Sequence, residues 1–494
     1  MKEYNLVTEK WIPIRNHERV SLADIFVDKS LKELGGNPLE HIAVTKFLLA
    51  ICQDAYTPQD NREYLAYDEN QLCSEVSAYL DNNSEFFNLY DEKQPFLQFP
   101  ALIKSEKVLA YEKGFPEIPS ENGTILYQSQ VLVNVRNAQR AMMLIVNQGF
   151  AFGGKKTDSK TTLDKELVRK SASCGPLQGN SYLHAYIEGD TVLQTLKLNI
   201  LTVEEIQRHH FLSEGVGIAP WRQMPTTEKD SIAEKYIHSY MSQLIPMNRY
   251  LLFLEDDYRL IEGISYPPLS TQWYPFSVSV AQLDFDKPIV IHANPTKKPW
   301  RSLPAMLSFM NEDSQKEKYG NEQLSFGLSK VKELKLSHYH IYAGGVNTSN
   351  TAGEHTVGNG CDFVQSRFDL NVKDSEEFWF LYYEKAIGIF EQCSNILWGA
   401  IRNFYVELGY SNVAKAKASS GQASFWDQAE SLAKLLICAC QDSDTNALNN
   451  IYNTIISYCA NIYSEFCENS TPRQFVSWVK NQPNFKKIFE EMKE

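Results

Sequence analysis

At 494 residues, with 43% hydrophobic and 22% charged side chains, the chain has the composition of a soluble globular protein, long enough for roughly two to four domains. No window approaches the ~20 uncharged apolar residues of a membrane helix, and the start MKEYNLVTEKWIPI carries no apolar signal region, so a cytoplasmic protein without membrane contact is expected. The formal charge of −13 speaks against a free-standing nucleic-acid binder, because such proteins neutralise phosphates with basic surfaces; it leaves room for small basic patches working beside basic partners.

Residues 4–6 and 11–14 read as strand, turn, strand, with Asn16 and His17 in a turn. Residues 39–56 have helical spacing through Ile42, Phe47, Leu48 and Ile51, and 68–80 give a second helix. A turn at 91–95 precedes an extended 96–99. Residues 194–201 alternate through Leu196, Leu198 and Ile200, as a strand would; 274–280 and 289–292 are further strand candidates. Residues 153–179 read as a basic loop carrying Lys155, Lys156, Lys160, Lys165, Arg169 and Lys170. Residues 344–360 form the least regular, glycine-rich stretch.

From residue 375 the pattern changes in kind. Phe378, Tyr382, Ala386, Ile389, Cys393, Ile396, Ala400 and Phe404 recur in steps of three and four, marking one long helix that Gly409 ends. Further helices are expected over 425–440, over 448–467, and after Pro472, with Lys415 and Lys417 in a loop. The fold class is therefore α+β: a large mixed domain over 1–370, then a four-helix bundle over 375–494.

The chain carries no metalloprotease, P-loop or serine-hydrolase signature. Nine cysteines, at 52, 73, 174, 361, 393, 438, 440, 459 and 467, include no CxxC and read as buried free thiols. His209 with His210, His338 with His340, and Glu354 with His355 read as surface or satisfied histidines; His338 and His340 share a strand face but have no carboxylate nearby in sequence. Glu255, Asp256 and Asp257 read as a solvated hairpin turn. No cofactor and no metal are expected. A nucleic-acid-processing enzyme with a dispersed active site stays open as the alternative to a binding protein.

Short motifs, in order along the chain, resemble the large subunit of the type I-E CRISPR Cascade complex. They are NLVTEKWIPI at the start, Glu92-Lys93-Gln94-Pro95-Phe96-Leu97-Gln98, Val146-Asn147-Gln148 followed by Phe152-Gly153-Gly154, LKLNIL at 196–201, and Pro220-Trp221. Ala343-Gly344-Gly345 and then Ser424-Phe425-Trp426 continue the series. Two stretches where some members carry CxxC pairs, 135–142 and 263–268, hold no cysteine here, so no zinc carries over.

The resemblance implies a non-catalytic subunit that recognises the PAM of invading double-stranded DNA from the minor groove. It further implies help with duplex opening and R-loop formation, and with recruiting an effector helicase-nuclease. The implied partners are the CRISPR RNA, target DNA, and the backbone, small and guide 5′-end subunits. Gly344, Gly345, Ser349, Asn350 and Thr351 are the implied wedge loop: glycine for close backbone approach, short amides and hydroxyls for base edges. Lys297, Lys298 and Arg301, beside Trp300, are candidate DNA contacts, and so is the basic loop of Lys155, Lys156, Lys160, Arg169 and Lys170.

Overall fold

Several helices start where the sequence supplies side-chain caps. In the computed structural model, which describes residues 3–115, 135–150, 182–225, 230–267, 274, 276, 280–282, 289–307, 309, 321–351, 354–356, 362–372 and 376–491, Asn37 accepts hydrogen bonds from the backbone of Leu39 and Glu40 while Glu40 reaches back to Asn37. This capping box, with Pro38 in the first helical position, opens the helix Pro38–Ala55. Asp68 and Gln71 do the same for Glu69–Asn82. Both helices fall where periodicity expects them.

The strands are β1 (Leu109–Ala110), β2 (His184–Glu188), β3 (Arg249–Phe253), β4 (Asp257–Glu262), β5 (Val280–Gln282), β6 (Ile289–Val290), β7 (His338–Val346), β8 (Ser349–Thr351), β9 (Glu354–Thr356) and β10 (Phe363–Asn371). They form sheets in the orders β1-β4-β3, β10-β7-β2, β5-β6 and β8-β9. The acidic run at 255–257 turns the β3–β4 hairpin, as expected, with Leu254 N donating to the Asp257 carbonyl at 2.8 Å.

Three local expectations fail. Residues 194–201 are not a strand: Val192–Asn199 is a helix capped by Thr191, which accepts from Gln194 N. Its polar residues point inward, Lys197 Nζ donating to the Tyr64 carbonyl and Asn199 Nδ2 to the Ile187 carbonyl. A helix buried on nearly every side has no polar face to set a helical period. The start forms isolated bridges, Asn5 with Asn88 and Ile12 with Val20, rather than paired strands. At 96–99 the chain turns, with Leu97 at φ +50.

The chain divides into two units; the second takes Thr296–Pro304 and Leu370–Glu494. In the first, the core gathers the motifs that the sequence singled out. Trp11 lies 5.9 Å from Phe47 by ring centroids, and Phe47 lies 5.7 Å from both Phe96 and Trp221. Gln94 Nε2 donates to the Trp221 carbonyl at 2.8 Å, and Gln148 Nε2 to the Leu97 carbonyl at 2.8 Å. Each amide nitrogen is tied to one specific carbonyl, which helps fix the loop that carries it.

The second unit is helical, built on Glu376–Glu407. That helix ends as Gly409 predicts: Gly409 sits at φ +91, its N–H bonding the Val406 carbonyl and Tyr410 N–H the Tyr405 carbonyl. Ala386, Ile389, Cys393, Ala400 and Phe404 of the expected stripe are buried, joined by Trp379, Phe380, Tyr383, Phe390, Leu397 and Ile401, while Tyr382 from that stripe is 40% exposed. The second expected helix is two, Ser411–Glu430 and Ala433–Gln441, so Lys415 and Lys417 are helical rather than in a loop. Thr445–Phe466 follows, and the last expected helix is also two, Pro472–Lys480 and Lys486–Glu491. Six of the seven described cysteines are buried, and Cys438 is exposed.

Candidate nucleic-acid interface

β7 pairs antiparallel with β2 from His184 opposite Gly344 to Glu188 opposite His340. Gly344 and Gly345 are therefore inside a strand and buried, not on the loop where the sequence reading put them. Both are glycine for packing reasons. A Cβ at 345 would lie 2.5 Å from the Tyr182 carbonyl oxygen and 3.0 Å from Ala293, and one at 344 would lie 2.5 Å from Tyr342 Oη. At 345 the facing backbone forbids a side chain, whereas at 344 a side chain would require the Tyr342 ring of the same strand to shift.

Beyond β7, Asn347 N donates to the Asp362 carbonyl at 2.8 Å. Ser349, Asn350 and Thr351 form β8, opposite Thr356, His355 and Glu354 of β9. The expected wedge residues are thus one arm of a short two-stranded hairpin that follows a buried strand. The described side chains of this region end at Thr348.

Lys297 is exposed and Lys298 half-buried. Arg301 is a packing residue: its guanidinium carbon lies 3.3 Å from the centre of the Trp426 ring, and its Nη1 donates to the Thr296 carbonyl at 3.3 Å. Burial lowers its pKa to about 10. Trp300 beside it is buried, 5.9 Å from Trp426 and 6.1 Å from Phe390, with its carbonyl accepting from Tyr383 Oη at 2.9 Å. The basic loop residues Lys155, Lys156, Lys160, Arg169 and Lys170 lie outside the described residues.

One polar cluster escaped the sequence reading. His338 and His340 do share a strand face, but carboxylates join them from elsewhere in the chain. Asp190, just past β2, lies 3.0 Å from His338 Nε2 and 3.4 Å from His340 Nε2, and Asp369 of β10 lies 2.7 Å from His340 Nδ1. The Asp190 carboxyl sits below its usual range: burial pushes it up, and its hydrogen bonds and charge attraction to the two histidines outweigh that. His209 is satisfied by Glu322, at 2.6 Å. The signal for the first cluster was the strand register, which no linear spacing displays.

A mixed unit with small sheets and a helical second unit define an α+β protein. Residues 5–461 match the family of CRISPR-associated protein Cse1, and the chain belongs to that family. Solved structures share the fold over nearly the whole length at low identity. Cse1 from Acidimicrobium ferrooxidans matches at TM-score 0.75 and 15% identity, covering 100% of this chain and 98% of that one. Cse1 from Thermobifida fusca matches at TM-score 0.73 and 15% identity, covering 99% and 98%. A chain of a CRISPR RNA-guided surveillance complex matches at TM-score 0.68 and 15% identity, covering 97% and 99%. No curated protein matches the chain.

Proposed function

We propose that this chain is the non-catalytic large subunit of a type I-E CRISPR RNA-guided Cascade complex. The carrying observation is membership of the Cse1 family over residues 5–461, with the chain-long likeness to a subunit of a surveillance complex beside it. In the proposed division of labour, base pairing with the CRISPR RNA reads the target sequence, and the protein reads only a short flanking motif. The β8–β9 hairpin of Ser349, Asn350 and Thr351 inspects that motif from the minor groove and helps start duplex opening and R-loop formation. Lys297, Lys298 and the basic segment of Lys155, Lys156, Lys160, Arg169 and Lys170 hold phosphate. The complex then recruits an effector helicase-nuclease, in the cytoplasm. Among the described residues no helix is long and apolar enough to cross a membrane. The net charge of −13 fits a subunit whose guide RNA and basic partners carry the electrostatic load.

Purification of the tagged chain from its own cells tests this reading. A guide RNA and several further subunits should elute with it in fixed ratio. Recovery of the chain alone, or of a chain that cleaves DNA and loses that activity on a point substitution, would sink it.

The helical unit is the proposed dock for neighbouring subunits. The helix Pro472–Lys480 buries Ser477 but leaves Phe475, Val476 and Val479 exposed at 53%, 63% and 50%. Apolar side chains grouped on one outer helix face suit an interface core. Phe475→Asp with Val479→Asp should weaken incorporation into the complex by roughly thirtyfold, the ~2 kcal/mol scale of one hot spot, with the melting temperature unchanged. Wild-type incorporation of the double variant would remove this face from the assembly.

A further inference from the structure

The β10-β7-β2 sheet brings together four ligand-type side chains that belong to no proposed nucleic-acid contact. Two rules of strand geometry produce the cluster. Residues two apart on a strand face the same way, so His338 and His340 stand side by side on β7. The β2–β7 register pairs Glu188 with His340, so the next position outward sets Asp190 opposite His338. β10, on the other side of β7, supplies Asp369.

We propose that Asp190, His338 and His340 form a binding site for one divalent transition-metal ion, with zinc the best fit. One ligand atom from each of Asp190, His338 and His340 lies within 4.8 Å of the other two. A four-coordinate ion with bonds near 2.0–2.1 Å holds its ligand atoms ~3.3 Å apart. The separations from Asp190 are 3.0 Å to His338 and 3.4 Å to His340, close to that spacing, so small side-chain rotations would bring the three groups onto one ion.

The outer hydrogen bonds point the same way. His340 Nδ1 is 2.7 Å from Asp369 Oδ1, and His338 Nδ1 is 3.2 Å from Ser337 Oγ. Asp369 accepts from His340 Nδ1 and so holds a proton there, and Ser337 Oγ can accept from His338 Nδ1; an ion would displace the Nε2 protons that now face Asp190. A carboxylate behind a ligating histidine fixes its tautomer and raises its basicity. The His338 and Asp190 side chains are 47% and 48% exposed, giving an ion an entry path and leaving a fourth position for water. His340 is 14% exposed, so one ligand is anchored in the fold. Imidazole with carboxylate suits zinc, nickel, copper or cobalt rather than calcium or magnesium, which prefer oxygen alone. Bound there, the ion ties β7 to the turn after β2 that leads into the helix Val192–Asn199.

The test uses the full chain, stripped with chelator, and zinc in competition with a chromophoric chelator. Wild type should take up one zinc tightly, and its melting temperature should rise with zinc. His338→Ala and Asp190→Asn should each weaken binding at least ~100-fold. Asp369→Asn, which keeps every direct ligand, should weaken it about 10–100-fold. Cobalt in place of zinc should give the visible absorption of a four-coordinate nitrogen–oxygen site with no thiolate charge-transfer band. His338 and Asp190 are half exposed, so their variants should fold, and circular dichroism checks this. Absence of stoichiometric binding to wild type overturns the proposal, because the cluster is then only a hydrogen-bonded network. Binding undiminished in His338→Ala or Asp190→Asn overturns it too, because the ion then sits elsewhere.

Discussion

Replacing residues 349–356 with a short glycine–serine link should lower the affinity of the assembled complex for a motif-bearing duplex by roughly tenfold to a hundredfold. That corresponds to about 1–3 kcal/mol, the scale of one or two lost base-edge contacts. A target already unwound beside the motif should be largely spared, because the hairpin's task is groove inspection and opening rather than grip. The hairpin is a clean place for this test, and the glycines before it are not. Valine at Gly345 would drive a side chain into the Tyr182 carbonyl, and at Gly344 into Tyr342. Loss of binding in those variants would report a damaged sheet. Beyond Asn347 the chain has left the buried strand, so the replacement spares the β10-β7-β2 core. For the same reason the neighbouring phosphate contacts are best probed by Lys297→Ala and Lys298→Ala alone, since Arg301→Ala would strip the Trp426 ring of its cation. Equal affinity of the hairpin-replaced and wild-type complexes for motif duplex, measured at one salt concentration, would remove the hairpin from recognition.

The sequence made the helices legible where an apolar face recurs at helical spacing, and the structure adds the caps at their ends. Asn37 with Glu40, Asp68 with Gln71, and Gly409 at its positive φ mark real helix ends. It misled where both faces of an element are buried. Lys197 and Asn199 spend their polarity on the carbonyls of Tyr64 and Ile187, so a buried helix imitated strand alternation. The motifs that carried the resemblance proved to be packing motifs. Trp11, Phe96 and Trp221 meet around Phe47, and Gln94 and Gln148 hold loops by carbonyls. Such residues report a shared fold because close packing tolerates few alternatives. They say little about which surface meets a ligand. The Asp190–His338–His340 cluster could not be read from spacing, because its members are joined by strand register across 148 and 150 positions of chain.

Lys46→Met should make the protein more stable at neutral pH, by on the order of 2–4 kcal/mol, with the gain shrinking as pH rises. Lys46 lies on the helix Pro38–Ala55 with 2% of its surface exposed, and its Nζ donates to the Phe276 carbonyl. Burial alone lowers its pKa from 10.5 to about 7. Above pH 10.5 the amine is neutral in both states and costs nothing electrostatically. Between about 7 and 10.5 the unfolded chain binds a proton there and the folded chain does not. Each unit of falling pH in that window therefore removes up to about 1.4 kcal/mol of folding stability. Below about 7 both states bind the proton and the penalty stays level. Methionine has similar length, fills the space and carries no charge; the Phe276 carbonyl loses its donor, which offsets roughly 1 kcal/mol of the gain. Lys197 is also depressed to about 7, chiefly by burial, but it is present in both proteins and cancels in the difference. Urea unfolding at pH 7.5 and 9.5 separates the outcomes. The variant should unfold at higher urea at pH 7.5, and by a smaller margin at pH 9.5. A variant less stable than wild type by the same amount at both pH values would mean that the bond to Phe276 outweighs the cost of burying the amine.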